Sequence, residues 1–176
     1  MRATNGVTAS DRLRRGSGAL EFIMVVIPSL FLTTSVFEMS LASWQFHSMA
    51  YAIEVADRYA CSHGRTCTKG GNACTIRVQD VANMIAAQAP ALNSAKLNVT
   101  LATHNAGANV TCNPLSTCFS NAAQFPSTTD NGVGLDITIT ATYPVSNPIP
   151  MFWFGSATSS NSTWNLGATT KGNIVY

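Results

Sequence analysis

Five cysteines, three histidines and one glutamate at the mouth of an apolar run are the residues whose chemistry needs an account. Cys61, His63, Cys67 and Cys74 fall within "CSHGRTCTKGGNAC" and invite a zinc reading. Their spacing, C-x-H-x3-C-x6-C, lacks the paired ligand spacing of structural zinc sites, so no metal is expected. Disulfides fit better wherever the segment meets an oxidising compartment. An odd number of cysteines leaves at least one thiol free or paired with another chain. Cys112 and Cys118 flank a short segment containing Pro114 and are expected to pair locally. Among the other three, Cys61–Cys74 is preferred because it closes the larger loop. Cys67 is then the spare thiol in a glycine-rich loop, and Cys67–Cys74 remains the open alternative, since spacing does not fix connectivity. His47 and His104 lack a nucleophile context such as G-x-S-x-G, and "GSG" at 16–18 is too short for a phosphate loop. The expectation is a chain that is not an enzyme and holds no cofactor.

The glutamate is Glu21, in "RRGSGALEFIMVVIPSLFLTTSVFE" (14–38). It is the only charge between Arg15 and Glu38. A run of about 20 apolar residues suffices to cross a hydrocarbon core, and this one is just long enough. Arg2, Arg12, Arg14 and Arg15 precede it, and the next positive residue is Arg58. Positive residues stay on the cytoplasmic side, so the N-terminus is expected inside and the bulk of the chain outside. That side is also where the cysteines would oxidise. Pro28 lies within the run, where a membrane helix tolerates a kink.

These residues need elements to carry them. Beyond the run, Met39, Ala42, Phe46, Met49, Ile53, Ala56 and Ala60 recur at spacings of three and four, a helical stripe. Glu54 and Arg58 lie four apart with the acid first, as on a solvated helix face. One helix is therefore expected from about residue 19 to residue 60, roughly 60 Å long at about 1.5 Å per residue. Its second half must bury its stripe. "VQDVANMIAAQAPAL" (78–92) reads as a short helix broken near Pro90. "AKLNVTLAT" (95–103) and "GLDITITATYPV" (134–145) alternate as half-buried strands. A weaker strand is expected around residues 108–112, and the closing "NIVY" suggests another, beginning near Leu166. "MFWF" (151–154) reads as an apolar plug beneath a loop. Strands with no helix between them favour an antiparallel pairing. The expected fold class is α+β: a long N-terminal helix, first transmembrane and then amphipathic, and a short second helix, both packed on a small antiparallel sheet of three or four strands. The expected organisation is a cytoplasmic leader (1–16), a transmembrane segment (17–38) and an extracytoplasmic domain (39–176).

With 176 residues the chain has room for one ordinary domain. Only 10% of residues are charged and the formal net charge is +2. That is no electrostatic footprint for nucleic acid.

"RRGSGALEF", an apolar span with a proline and an amphipathic helix ending in "ADRYA" together resemble the TadE-like family, the minor pilins or pseudopilins of tight-adherence (Tad) type IV pili. The likeness is close over about residues 14–60 and looser over "VTLATH", "ITITATYPVSNPIPMFWF" and the final strand. The resemblance implies a protein of a bacterial inner membrane, single-pass, with its C-terminal domain periplasmic or carried into a surface pilus. Its implied partners are a prepilin peptidase, other Tad pilins or pseudopilins and the pilus assembly machinery. It implies cleavage after Gly16, which makes Ser17 the first mature residue and Glu21 the fifth; a cut after Gly18 makes Glu21 the third and does not fit. It further implies that Glu21, followed by Phe22, pairs with the new amino terminus of another subunit. Processed Tad pseudopilins are described by Glu-Tyr at this place, where this chain has Glu21-Phe22. The competing reading is an exported enzyme or binding protein using the run only as a signal or anchor, with Ser40-Leu41-Ala42 as a small-x-small cleavage site.

Overall fold

The computed structural model describes residues 9–64, 75–105, 109–146 and 163–175. Cys67, Cys74 and the MFWF segment lie outside the described residues. The order of elements is helix α1 (Ala9–Cys61), helix α2 (Val78–Gln88), strands β1 (Asn98–Thr103) and β2 (Val110–Cys112), a 3₁₀ turn (Leu115–Cys118), and strands β3 (Asp136–Ser146) and β4 (Thr163–Asn173). The strands form one antiparallel sheet in the order β2-β1-β3-β4. The α+β architecture read from the sequence is the one observed.

The sheet follows from alternation. Side chains of a strand point alternately to its two faces, and β1 buries Val99, Leu101 and Thr103 while its other residues are only half-buried. In register they oppose Ala141, Ile139 and Ile137 of β3. Those in turn oppose Ala168, Thr170 and Gly172 of β4. The buried row therefore shrinks across the sheet, from branched apolar side chains on β1 and β3 to small ones on β4.

That taper makes room for α1, which packs over β3 and β4 and also against α2. Its buried face carries Met49, Ala52, Ile53, Ala56, Asp57, Ala60 and Cys61. Three of these are alanines, so the helix lies close to the strands. Gly172 is required where it comes closest. A β-carbon placed there would stand 2.5 Å from Cys61 Sγ and 2.6 Å from an Asp57 carboxylate oxygen. Helix α2 buries Val78, Val81, Ala82 and Ile85 in the same core. Its start is fixed by three bonds: Asp80 accepts from the Arg77 amide (2.9 Å), and the amides of Val78 and Gln79 donate to Ala123 and Asn121.

Helix α2 ends at Gln88, at the break expected near Pro90, while two strand boundaries differ from the sequence reading, each for a local reason. Ala89, with φ −113° and ψ 61°, has already left helical geometry, as the residue before a proline tends to. Strand β1 starts at Asn98, because Asn93 captures the Lys96 and Leu97 amides with its carbonyl and the Ala95 amide with its side chain. The last strand runs over Thr163–Asn173, beginning before the Leu166 expected and ending at the first residue of NIVY. Ile174 nonetheless stays buried and keeps backbone bonds to Gly134 and Leu135.

Cys112 and Cys118 form the expected disulfide, with S–S 2.00 Å and Cα–Cα 5.6 Å. It closes the 3₁₀ turn that buries Leu115. Cys61, by contrast, is a free and buried thiol. The Cys61–Cys74 pairing is therefore not what the structure holds. The physical reason is direction: Cys61 sits on the core side of the last turn of α1, with its sulfur over Gly172 and bonded to Asp57 Oδ1 at 3.8 Å.

Gly172→Val should force α1 away from β4. Overpacking of this kind costs about 1–3 kcal/mol. Urea unfolding of the detergent-solubilised chain should show that loss, whereas Gly167→Val, where a β-carbon meets nothing within 4 Å, should unfold near the wild-type midpoint.

Candidate functional site: the uncovered half of helix α1

Two halves of α1 meet different surroundings. From Gly18 to Leu41 no side chain is buried, and Ala42 is the first that is. Leu20, Phe22, Met24, Val25, Leu32 and Phe37 each leave 65% or more of their surface uncovered. A monomeric soluble protein rarely exposes so large a continuous apolar surface. The described helix Gly18–Cys61 is long and apolar enough to cross a membrane, and none of its most apolar window is buried within the protein.

The sequence keeps this half helical without outside help. Pro28 removes one donor from the ladder, yet α1 runs through it. The hydroxyls near it turn back onto carbonyls of the preceding turn: Thr33 to Ser29 (2.5 Å), Thr34 to Leu30 (3.0 Å) and Ser40 to Val36 (2.8 Å). A hydroxyl so bonded can face an apolar medium without the cost of an unmade hydrogen bond.

Glu21 and Phe22 lie on this half, both exposed. Gly16 and Ser17 fall within the same helix. All four thus share one continuous element, ahead of the folded domain. All five cysteines follow the uncovered half in sequence, and Cys61 lies at the opposite end of α1.

Two polar clusters went unnoticed in the sequence. The first lies under α1. Asp57 is 5% exposed, accepts from Thr170 Oγ1 at 3.2 Å and from the Cys61 thiol. Burial pushes its carboxyl above the ordinary 3.8, partly offset by those two donors. Burial also pushes the Cys61 thiol up to about 12, with the neighbouring Asp57 charge acting in the same direction. A thiol so held stays protonated and is a poor nucleophile or metal ligand. The signal was available: Asp57 sits four residues after Ile53 and four before Cys61, on the apolar stripe itself.

The second cluster is at the sheet's end. Asp136, the first residue of β3, bonds Lys171 of β4 (2.8 Å) and His104 beyond β1 (2.6 Å). Lys171 and then His104 hold its carboxyl down at about 2. Asp130 is fully buried, bonded by Thr103 Oγ1 (2.7 Å) and by the Asn105 amide, and the Thr103 bond leads in holding its carboxyl below the ordinary value. These contacts tie the 127–135 loop to β1, and among the described residues no hydroxyl or thiol nucleophile is bonded to His104. Among the described residues, no three His, Cys, Asp or Glu side chains come together as a metal site.

No family model, no curated protein and no solved structure matches this chain.

The two clusters make opposite pH signatures. Asp136 titrates lower in the folded chain than in the unfolded one, so its stabilisation is complete above 3.8 and is lost as pH falls through about 2. Asp57 titrates higher when folded, so its charged form costs stability at neutral pH, and the cost vanishes below 3.8. Asp57→Asn should therefore unfold at higher urea than wild type at pH 7, and the two midpoints should converge on acidification. A difference that stays constant with pH would remove the titration of Asp57 as its cause.

Proposed function

We propose that this chain is a membrane-anchored minor pilin or pseudopilin that takes part in assembling a Tad-type pilus. The observation that carries the reading is the uncovered apolar half of α1, with Glu21 near its start, continuous with a helix docked on a small α+β domain. From Leu20 to Leu41 the helix rises roughly 30 Å, the thickness of a hydrocarbon core. The arginines ahead of it support an N-terminus in the cytoplasm and a domain outside. There the Cys112–Cys118 disulfide persists.

In this reading a prepilin peptidase cuts between Gly16 and Ser17. Glu21 then stands at the fifth position of the mature chain, near the membrane's inner face. Ionisable residues within a membrane segment are costly and tend to pair, and pairing of Glu21 with the amino terminus of a neighbouring subunit favours docking in this reading. The domain, whose helix face is already filled by its own core, stays folded as a unit during this step.

Two measurements test the reading. Intact-mass analysis of membrane-extracted protein should show loss of the first sixteen residues; a chain starting at Met1 or at Ser43 would contradict it. Glu21→Ala and Glu21→Gln should both insert and be processed yet yield few surface pili, since charge rather than size is at issue. Normal piliation in both variants would remove Glu21 from assembly.

A further inference from the structure

Asp130 and Asn131 stand where two tight turns of the 127–135 loop meet. The Asp130 amide donates to the Ser127 carbonyl at 2.9 Å, and the Leu135 amide donates to that of Gly132 at 3.1 Å. Neither side chain faces water: Asp130 is 0% exposed and Asn131 is 6% exposed. Asp130 is a buried carboxylate whose bonded partners are all neutral. They are the Thr103 hydroxyl, the Asn105 side-chain amide and the Asn105 backbone amide. Among the described residues, no lysine, arginine or histidine forms an ion pair with it. His104 acts on it only from a distance, because its own bond goes to Asp136. On the next residue, Asn131 Oδ1 is closed off from solvent and accepts a hydrogen bond from no described donor. Buried charges are as a rule paired or bound to a metal, and buried polar groups are bonded. Two adjacent residues here break both rules.

Oxygens outnumber donors at this place. Thr103 Oγ1 lies 2.7 Å from Asp130 Oδ2 and 3.3 Å from the Asn105 carbonyl oxygen, yet a hydroxyl has one hydrogen to give. A carboxylate offers about four lone pairs, and three donors reach this one. We infer that Asp130, Asn131 Oδ1 and the Asn105 carbonyl form a calcium site. Consecutive Cα atoms are about 3.8 Å apart, close enough for one ion to take an oxygen from Asp130 and from Asn131. Thr103 Oγ1, within bonding distance of both, brings the Asn105 carbonyl to the same carboxylate. The donor set is one carboxylate and neutral oxygens, with no nitrogen or sulfur ligand, which suits a hard cation. Magnesium keeps several of its waters, for which two enclosed side chains leave little room. A single carboxylate sets the affinity low, about 10⁻⁴–10⁻³ M, the range of extracellular calcium modules. Asn105 is exposed, so the ion enters from beneath one surface side chain. Bound there, it fastens the loop to the end of β1. The same loop holds Ile174 through Gly134 and Leu135, so the chain's last described turn is fastened with it. Nothing in this site depends on the membrane or on Glu21, so it stands or falls apart from the pilus reading.

The test is thermal unfolding of the full chain in a neutral detergent, in EDTA and then with calcium or magnesium chloride. Calcium at about 10 mM should raise the midpoint by about 3 °C or more, with half the effect at about 0.1–1 mM. Magnesium at the same concentration should give less than half that shift. Asn131→Ala removes an oxygen to which no described group donates. Its midpoint in EDTA should therefore stay near the wild type's while the calcium shift disappears. Asn131→Asp adds a second carboxylate and should lower the calcium needed for half the effect at least several-fold, which keeps the test decisive if the alanine variant folds poorly. Asp136→Asn, which removes the surface carboxylate of the neighbouring cluster, should keep the shift. No calcium shift in the wild type would overturn the inference and leave a buried water as the partner of Asn131. An equal shift with magnesium, a full calcium shift in Asn131→Ala, no tightening in Asn131→Asp, or loss of the shift in Asp136→Asn would each overturn it as well.

Discussion

One continuous helix has to satisfy two surroundings, and the rest of the structure follows from how α1 does so. From Gly18 to Leu41 its side chains are mostly apolar and none is buried. Beyond Ala42 the same helix narrows to a single buried stripe and takes the sheet as its partner. Nothing interrupts the backbone between the two, so the domain is held at a fixed height and rotation relative to the bare segment. The small residues on the inner row of β4 are the sheet's side of that arrangement. Their size is set by how closely the helix must lie.

The polar groups divide the same way. On the bare half, hydroxyls are satisfied within the helix itself, so they need nothing from the medium. On the docked half, Asp57 and the Cys61 thiol share a buried site with Thr170 above Gly172. A buried carboxyl with donors of its own is costly when charged, yet it fixes rotation and register because those donors exist at one place only. At the same end of the sheet but on its other face, Asp136 and Lys171 pair the start of β3 with the end of β4 at the surface, where such pairs contribute little.

Much of this was legible in the sequence because it is periodic. The stripe from Met49 to Ala60, the alternation in β1 and β3, and the local pairing of Cys112 with Cys118 all carry their structure in spacing, whereas Met39 and Phe46, expected on the same buried stripe, are exposed. The ends of β4 were set a few residues too late because its inward row, Leu166, Ala168, Thr170 and Gly172, loses apolar character step by step beneath α1. Alternation of hydropathy cannot mark a strand whose partner needs small or polar residues. Cys61 was misread for a related reason. Loop size favoured a bridge to Cys74, but helix phase turns its sulfur inward.

The account's central claim is that the bare half of α1 lies in a bilayer while the domain stands clear of it. Hydrogen–deuterium exchange on the full chain in lipid nanodiscs addresses that claim directly. Isolated helical amides exchange readily in water, whereas those in hydrocarbon have no solvent to exchange with. The account predicts amides from Leu20 to Leu41 protected for hours, with β2 and the 127–135 loop exchanging faster. Rapid exchange across Leu20–Leu41 in the nanodisc would contradict it.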